Sequence, residues 1–407
     1  MSLFLFAALT LAAQPPIVFV HGNGDDSSRW MGIIWLFESN GYPREKLHAL
    51  RLTHPSARRD DTQPEMNRSS ATDQAAELSA AVTRALLVNK TDKIALIGSS
   101  RGGNTIRNYI RFGGGAANVS HAFLAGTPNH GAFVMDTNTG NEFNGKGEFL
   151  GRLNSGGETV AGIRYMTARS DSLDKYAQPN GSGYRSPELA GAENVVLPGL
   201  DHREAAFHPE AFRAMYRFLT GQEPTSLAVT PEAQPSISGM VTGFAAGAAT
   251  NLPEAGVRLR VFPVHPQTGE RESPTMLDIV TSPDGKWGPL PVNPASHYEF
   301  ELTKEGTTLR YFRAPFPRSS AIVNLRFRPV TASAVQAVRP QGYFARERAP
   351  LTYNGEPVPG IPAGIPTIDA IPLSISTGGQ LQLRLERIPI RPAATSRELH
   401  IAEFNWD

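Results

Sequence analysis

The chain has 407 residues, of which 40% are hydrophobic and 19% are charged, with 39 Lys and Arg against 38 Asp and Glu. This length exceeds that of one ordinary domain, so two or three domains are expected. The near balance of charge gives no indication of a nucleic-acid partner. Because the chain contains no cysteine, disulfides, thiolate metal sites and a cysteine nucleophile are excluded.

The first residues form an apolar segment, residues 1–13, which ends in small residues and is too short to span a bilayer. We interpret residues 1–15 as a signal peptide, which predicts a secreted or periplasmic protein. A truncated start or a buried first strand is the alternative, because no Lys or Arg precedes the apolar stretch. No later segment reaches the roughly 18 apolar residues that a transmembrane helix needs.

Residues 16–221 alternate short apolar runs with longer helical stretches, which is typical of an α/β domain with a mainly parallel sheet. Strands are predicted at residues 17–20, 46–52, 93–97, 121–125, 163–167 and 194–197. Ser70 and Asp73 have the spacing of a capping box ahead of a helix. Further helices are predicted over residues 104–112 and 209–219.

The pattern changes beyond residue 221. Residues 222–235 are rich in Pro, Thr, Ala, Glu and Gln without periodicity and predict a linker. Residues 236–329 carry short alternating runs separated by turns, which predicts an all-β, sandwich-like domain. Residues 330–407 alternate again around a proline-rich stretch, and they predict either a further β module or strands that complete the second domain.

The segment Gly98-Ser99-Ser100-Arg101-Gly102 follows one predicted strand and precedes a predicted helix. A serine on a sharp strand-to-helix turn takes a cramped backbone conformation that requires small neighbours and exposes its hydroxyl. The bare G-x-S-x-G pattern is weak evidence, but its position between a strand and a helix strengthens it. We therefore predict that Ser100 is the nucleophile of a hydrolase.

A serine hydroxyl needs a base to take its proton and a carboxylate to hold that base in the correct tautomer. In α/β-hydrolases the order along the chain is serine, acid, histidine, each beyond the end of a strand. Asp171 meets this requirement three residues beyond the predicted end of its strand, with Asp174 as the competitor. His202 follows the last predicted strand, whereas His208 precedes Pro209 at the entry to a helix. Asp171 and His202 are the predicted acid and base.

The mechanism also needs two backbone N–H donors for the oxyanion. We predict Arg101, directly after the nucleophile, and Asn23 in the glycine-rich loop that follows the first strand. His21 and Gly22 of that loop are predicted to line the substrate pocket.

The segment of residues 127–162 is longer than a minimal connection, and it is either a small cap over the acyl pocket or a surface loop. From this segment, Phe133 and Met135 are predicted to line the substrate pocket.

No metal site or cofactor is predicted, because the histidines are dispersed and lack metal-ligand spacing. The acidic pairs Asp25-Asp26 and Asp60-Asp61 are interpreted as solvated carboxylates rather than calcium ligands.

Four motifs carry a resemblance to a known family: V-H-G-N at 20–23, G-S-S-R-G-G at 98–103, A-G-T-P-N-H-G at 125–131 and G-L-D-H at 199–202. Over residues 16–220 the chain resembles the bacterial lipases and esterases of the α/β-hydrolase superfamily, nearest to the class 2 lipases. The resemblance implies the nucleophile, acid, base and oxyanion donors named above.

The chain departs from many members of the family, which carry His before and Met after the nucleophile, where this chain has Ser99 and Arg101. This difference is expected to change the wall of the site. The following β domain resembles that of lipases with a carboxy-terminal β-barrel.

We therefore predict a secreted lipase or esterase with a Ser-His-Asp triad and an acyl-enzyme mechanism. Its partner is an ester or lipid substrate, at an interface or polymer surface, and no nucleic acid. An extracellular polyester depolymerase of the polyhydroxyalkanoate type is the alternative, and a non-catalytic hydrolase-like binding protein is the second. The sequence does not predict the acyl length or the oligomeric state.

Overall fold

A computed structural model describes residues 14–171, 174, 186–330, 334–338, 344–345, 351–358, 367–368, 370–383, 386–395 and 397–405. The apolar segment of residues 1–13 lies outside the described residues, so the signal peptide stays a prediction. The described residues contain no helix that is long and apolar enough to cross a membrane.

The amino-terminal part is built on a six-stranded parallel sheet with the order β2-β1-β3-β4-β5-β6. Its strands are β1 Ile17–Val20, β2 Leu47–Leu50, β3 Ile94–Ser99, β4 Val119–Ala125, β5 Arg164–Ser170 and β6 Glu193–Leu197. Strands β1 and β3 are buried along their whole length, as is typical of a parallel sheet that is covered on both faces. All six predicted strands are confirmed.

Helices cover both faces of this sheet. In the described part of the chain they are α1 Met31–Ser39, α2 Ala71–Asn89, α3 Arg101–Phe112, α4 Glu148–Asn154, α5 Glu204–Phe207 and α6 Pro209–Thr220, with short 3-10 turns at Ser27–Trp30, Arg44–Lys46 and Gly115–Ala117. One apolar core lies beneath α1 and α6, and a second lies beneath α2 and α3. The capping box is confirmed, since the Ser70 hydroxyl accepts the Asp73 N–H at 3.0 Å and the Asp73 carboxylate accepts the Ser70 N–H at 2.8 Å.

The part beyond residue 235 is made of β strands in the described residues. These are β7 Ser236–Ala245, β8 Ala248–Pro253, β9 Arg258–Val264, β10 Leu277–Val280, β11 Lys286–Pro291, β12 His297–Lys304, β13 Thr307–Arg313, β14 Leu325–Arg326, β15 Ala334–Val338, β16 Phe344–Ala345, β17 Leu351–Tyr353, β18 Glu356–Pro357, β19 Thr367–Ile368, β20 Ala370–Leu373, β21 Gly379–Leu383, β22 Glu386–Ile390 and β23 Glu398–Glu403. The predicted fold class, an α/β-hydrolase domain followed by β structure, is confirmed.

Two of the β sheets enclose a common core. The larger has seven strands in the order β10-β9-β12-β13-β23-β15-β20, and the smaller is formed by β11, β7, β14 and β8. Ile237 and Val241 of β7 belong to the same apolar cluster as Val261 of β9 and Phe300 of β12. Strand β23 lies between β13 and β15 and is parallel to both. Residues beyond 330 therefore complete the larger sheet, while the exact domain boundaries stay predictions.

The two parts of the chain are in close contact. Met31 and Trp35 of α1 pack into the β core rather than the hydrolase core, and the Trp35 indole N–H donates to the Ser319 carbonyl at 3.1 Å. The predicted linker is docked on the hydrolase domain, where the Asn40 side-chain oxygen accepts the Ser226 N–H at 3.0 Å and the Ser39 hydroxyl accepts the Thr230 N–H at 2.9 Å. The β domain is thus joined to the hydrolase domain by both apolar and polar contacts.

Candidate active site

Ser100 occupies the sharp turn between β3 and α3. Its backbone has φ 52° and ψ −120°, a positive φ that L residues with a side chain rarely adopt. A Cβ on Gly98 would lie 2.7 Å from the Gly103 nitrogen, and one on Gly102 would lie 2.7 Å from the His21 carbonyl oxygen. The glycines of the G-x-S-x-G pattern are therefore required by close backbone approach, as the pattern predicts.

His202 lies within hydrogen-bonding distance of this serine. Its Nε2 is 3.1 Å from the Ser100 Oγ, and it lies between β6 and α5. Gly126, with φ 55°, makes room for it, because a Cβ there would be 2.9 Å from the His202 carbonyl oxygen and 3.2 Å from its Nδ1. The structure therefore brings the predicted nucleophile and base together.

The carboxylate on the other side of His202 belongs to Asp174. The His202 Nδ1 lies 3.0 Å from the Asp174 Oδ2, and the Asp174 side chain is fully buried. A neutral His202 that accepts the Ser100 proton at Nε2 carries its own proton on Nδ1 and donates it to this carboxylate.

Asp171, the predicted acid, is directed elsewhere. Its Oδ2 accepts the Gly199 N–H at 3.0 Å, in the turn that precedes His202. The physical reason is the length of β5, which pairs with β6 as far as Ser170 and so ends later than the predicted end near Ala168. Asp171 thus directly follows the strand and faces the neighbouring turn, while Asp174 is far enough along the loop to reach His202.

Two further side chains near the base have local roles. The His208 Nδ1 accepts the Glu210 N–H at 3.1 Å and caps α6, as its place before Pro209 suggests. The Asp201 carboxylate accepts the N–H groups of Arg203 at 2.8 Å and Glu204 at 2.9 Å, at the start of α5.

A cavity of about 110 Å³ opens at the nucleophile. Its lining comprises Asn23, Ser100, Pro128, Ala132, Phe143, His202 and Arg203. The Asn23 side-chain oxygen accepts the Ala57 N–H at 2.8 Å, so the side chain is anchored away from the reaction centre. Arg101 is the first residue of α3, where a helix has no acceptor for the N–H group. Asn23 thus lines the cavity beside Ser100, and the Arg101 N–H, directly after Ser100, has no acceptor within α3.

His21 lies behind the cavity and does not line it. Its buried ring accepts the Leu52 N–H at Nε2, over 3.2 Å, and therefore donates from Nδ1 to the Gly22 carbonyl, over 3.0 Å. Burial lowers the pKa of His21, which keeps the ring neutral. Because the peptide unit is planar and trans, a Gly22 carbonyl held on His21 directs the Asn23 N–H to the opposite side.

Gly22 lies against the nucleophile instead of forming a wall of the pocket. A Cβ at this position would be 3.4 Å from the Ser100 Cβ. The loop therefore passes directly beside the nucleophile, within van der Waals contact of it.

Two predicted pocket residues of the 127–162 segment also lie outside the lining of this cavity. Met135 is 49% exposed, and the Phe133 N–H donates to the Phe143 carbonyl at 3.4 Å. The segment contributes Ala132 and Phe143 to the lining in their place. No sequence signal distinguishes Phe143 from Phe133, since the fold of the loop decides which ring faces Ser100.

The Arg101 side chain also differs from expectation, because it does not form a wall of the site. Its buried guanidinium donates to the carbonyls of Pro55 at 3.0 Å and Ser69 at 2.7 Å. It also forms a buried ion pair with Glu142, at 2.5 Å. Burial raises the pKa of Glu142 to about 7. Arg101 therefore ties two surrounding loops to the start of α3.

The Asp25-Asp26 pair is buried and paired, contrary to the prediction of solvated carboxylates. Asp25 forms an ion pair with Arg203, and the Asp26 carboxylate lies 3.8 Å from the Arg29 guanidinium. These contacts and the neighbouring cations hold the pKa of Asp26 well below its usual range, although burial alone would raise it. Within the described residues no group of three His, Cys, Asp or Glu side chains could hold a metal ion.

Comparisons with known families agree with this architecture. Residues 16–178 match the family model described as palmitoyl protein thioesterase, and residues 233–330 match the model of the lipase C-terminal domain. The amino-terminal part of the chain thus has the α/β-hydrolase fold, and it is followed by a domain that matches the lipase C-terminal domain. The resemblance to lipases and esterases of this superfamily is thereby confirmed at the level of fold and domain type.

Solved structures similar to this chain include a fungal and a bacterial lipase. Lipase B of Aspergillus fumigatus is 17% identical, with coverage of 53% of this chain and 54% of the fungal one and a TM-score of 0.40. A mature Bacillus licheniformis lipase is 19% identical over 51% of this chain and 93% of its own, with a TM-score of 0.39. The match thus spans about half of the fungal lipase. No curated protein sequence matches the chain significantly.

Proposed function

We propose that this α/β-hydrolase is a serine carboxylic-ester hydrolase with Ser100, His202 and Asp174 as its catalytic triad. The observation that carries the proposal is the hydrogen-bonded series from Ser100 Oγ to His202 Nε2, 3.1 Å, and from His202 Nδ1 to Asp174 Oδ2, 3.0 Å. The strained turn at Ser100 supports it, because this conformation presents the hydroxyl to substrate.

In the proposed mechanism His202 Nε2 takes the Ser100 proton while Ser100 Oγ attacks the ester carbonyl. The N–H groups of Asn23 and Arg101 stabilise the oxyanion that forms, and Asp174 stabilises the imidazolium. The imidazolium then gives its proton to the departing alcohol, which leaves an acyl group on Ser100. Water, deprotonated by His202, attacks this acyl group; the bond from Ser100 Oγ to the acyl carbon then breaks, His202 returns the proton to Ser100 Oγ, and the acid is released.

The cavity favours esters with a small acyl group. Its volume of about 110 Å³ is well below the roughly 300–1,000 Å³ of pockets that enclose a drug-sized ligand. Pro128, Ala132 and Phe143 supply apolar contacts for a short alkyl chain. We propose that a longer acyl chain extends beyond this cavity over the protein surface.

We also propose that the enzyme is exported and meets its substrate outside the cell.

Thioester hydrolysis is a second candidate. It is favoured by the match of residues 16–178 to the palmitoyl protein thioesterase model. The same acyl-enzyme chemistry would serve both reactions, but a thiolate leaves more readily than an alkoxide and depends less on proton donation from His202. Comparing the kcat/KM of butyryl oxyesters with that of butyryl thioesters separates the two candidates. Polyester depolymerase activity stays a prediction, which is tested by comparing the clearing of polymer films with the hydrolysis of emulsified triglyceride.

Replacing the nucleophile tests the proposed function. Ser100→Ala is expected to lower kcat/KM on p-nitrophenyl butyrate by about 10⁴–10⁶-fold, because the acyl-enzyme cannot form. Ser99→Ala is the matched control, since its buried hydroxyl has no hydrogen-bond partner in the described residues. A fluorophosphonate should label the wild type and the control but not Ser100→Ala. Undiminished hydrolysis by Ser100→Ala, or a folded wild type that neither hydrolyses nor labels, would reject the proposal.

A further inference from the structure

We infer that the carboxy-terminal β domain holds the oxyanion turn in its working conformation, with Arg326 and Asn251 as positioning residues. The oxyanion turn is defined here as residues 22–25, which bend so that the Asp25 N–H donates to the Gly22 carbonyl at 3.4 Å. The inference rests on the proposed function, because the Asn23 N–H in this turn is a proposed oxyanion donor.

Arg326 reaches the turn from strand β14. Its Nη1 donates to the Gly24 carbonyl at 3.0 Å, and its Nη2 donates to the side-chain oxygen of Asn251 at 2.7 Å. The Gly24 carbonyl and the Asp25 N–H belong to one planar peptide unit, so the guanidinium also directs that N–H toward Gly22. The Arg326 carbonyl accepts the Tyr311 hydroxyl at 2.6 Å, which fixes the strand from which the arginine extends.

Asn251 of strand β8 contacts both the same turn and the residue that holds His21. Its buried amide donates to the Asp25 carbonyl at 3.0 Å and to the Leu52 carbonyl at 2.8 Å. The Leu52 N–H in turn donates to His21, whose Nδ1 holds the Gly22 carbonyl. This series ends on the peptide unit that carries the Asn23 N–H.

A third side chain of the β domain contacts the chain directly after the turn. The Asn324 amide donates to the Asp26 carboxylate and to the Ser27 hydroxyl, both at 3.1 Å. The contacts of Arg326 and Asn251 differ from an ordinary domain interface because they fall on two consecutive main-chain carbonyls of the turn, those of Gly24 and Asp25. Each of these donors would lose its acceptor if the turn moved, so the contacts oppose displacement of the turn.

Displacement of the oxyanion turn should affect kcat and KM differently, because the oxyanion is present only during part of the reaction. A negative oxygen forms only in the transition state and the tetrahedral intermediate, so a displaced Asn23 N–H weakens transition-state binding and leaves substrate binding nearly unchanged. Loss of the β-domain contacts should therefore lower kcat rather than raise KM. A role confined to overall stability would instead lower the amount of folded enzyme and leave kcat per folded molecule unchanged.

The test uses the full-length chain with Arg326→Met, Asn251→Ala and the double substitution. Arg258→Met is the matched control, because this arginine of the same domain pairs at the surface with Asp278, at 2.7 Å. The readouts are kcat and KM on p-nitrophenyl butyrate and the inhibition constant of phenylboronic acid, whose tetrahedral adduct on Ser100 places an oxygen at the oxyanion position. Active-site titration with a fluorophosphonate corrects kcat for the fraction of folded enzyme.

We expect kcat to fall about 10- to 100-fold for each single substitution, since removing an oxyanion donor outright costs about 10²–10³-fold. The boronate inhibition constant should rise by a similar factor, while KM stays within about threefold of wild type. The kcat of the double variant should be no lower than that of the less active single variant, because the two side chains are hydrogen-bonded to each other and act together.

Folded variants whose kcat stays within about threefold of wild type, or in which KM alone changes, overturn the inference. If Arg326→Met does not fold, Asn251→Ala and Arg326→Lys test the inference by the same limits on kcat and KM. Arg326→Lys is informative because a lysine can reach only one of the two acceptors, the Gly24 carbonyl and the Asn251 side-chain oxygen. An inactive wild type would reject the proposed function and this inference together. A wild type that depends on Ser100 but not on Arg326 or Asn251 would reject the inference alone.

Discussion

His202 has a hydrogen-bonding partner at each ring nitrogen, Ser100 at Nε2 and Asp174 at Nδ1. A carboxylate at Nδ1 sets the tautomer that leaves Nε2 free to act as the base. Asp171 acts on the main chain instead, through the Gly199 N–H in the turn before His202. Asp174 thus holds the ring of His202, whereas Asp171 holds the turn that precedes this histidine.

These two roles predict unequal effects of amide substitution. Asp174→Asn is expected to lower kcat by about 10³–10⁴-fold, because an amide permits the wrong tautomer of His202. Asp171→Asn should cost less than about tenfold, because the Asn oxygen can still accept the Gly199 N–H. Steady-state hydrolysis of p-nitrophenyl butyrate by the two isosteric variants measures the difference. The reverse order of effects would assign the acid to Asp171.

At the scale of an element, strand β23 depends on a buried carboxylate at its start. Glu398 accepts hydrogen bonds from the Arg310 guanidinium at 3.0 Å and from the N–H groups of Ala394 and Thr395 at 3.0 and 3.2 Å. Burial alone would raise the pKa of Glu398, but these hydrogen bonds outweigh it and lower the pKa from 4.5 to about 2. The carboxylate therefore stabilises the fold fully above pH 4.5, and this contribution is lost as the pH falls through about 2.

Glu398→Gln is accordingly expected to lower the free energy of unfolding at pH 7 by about 1–2 kcal/mol. It should also flatten the decline of stability between pH 4.5 and about 2, because the ionised group that titrates there is gone. Urea unfolding at a series of pH values measures both effects. Glu356→Gln, which removes an exposed carboxylate on β18, should leave the curve unchanged. A Glu398→Gln curve parallel to wild type would contradict the assignment.

At the scale of the molecule, the hydrolase and β domains share an apolar core and a set of hydrogen bonds at the oxyanion turn. Met31 and Trp35 of α1 are buried in the core of the β domain, and the oxyanion turn is contacted by Arg326 and Asn251 from that domain. The β domain therefore covers apolar surface that an isolated hydrolase domain would expose.

A chain that ends after Gly221 should consequently lose activity on short and long acyl esters alike. It should also melt at a lower temperature than the full chain, since burial of a Trp side chain alone covers about 150–250 Å². Circular dichroism, size-exclusion chromatography and hydrolysis of a series of p-nitrophenyl esters test this expectation. A folded, active truncated chain with altered acyl selectivity would instead make the β domain a specificity module.

Neighbouring residues were sufficient to predict the parallel sheet, and they indicated Ser100 and His202, which the structure brings within hydrogen-bonding distance. The alternation of apolar runs, the glycines beside Ser100 and the place of His202 after β6 are properties of short segments. The roles of His21 and Phe133 could not be assigned from neighbouring residues alone, because the pocket is formed by loops from distant parts of the chain that come together only in the fold.

The partner of His202 and the support of the oxyanion turn depend on long-range contacts. Asp174 is 28 positions from His202, and Arg326 is 302 positions from Gly24. Which side chains contact each other across such separations depends on how the elements pack. No rule based on sequence spacing therefore distinguishes Asp174 from Asp171 as the partner of His202, or predicts that β14 contacts the oxyanion turn. Local sequence specifies strands, turns and the strained serine, whereas the hydrogen bonds that complete the site form only when separate elements pack together.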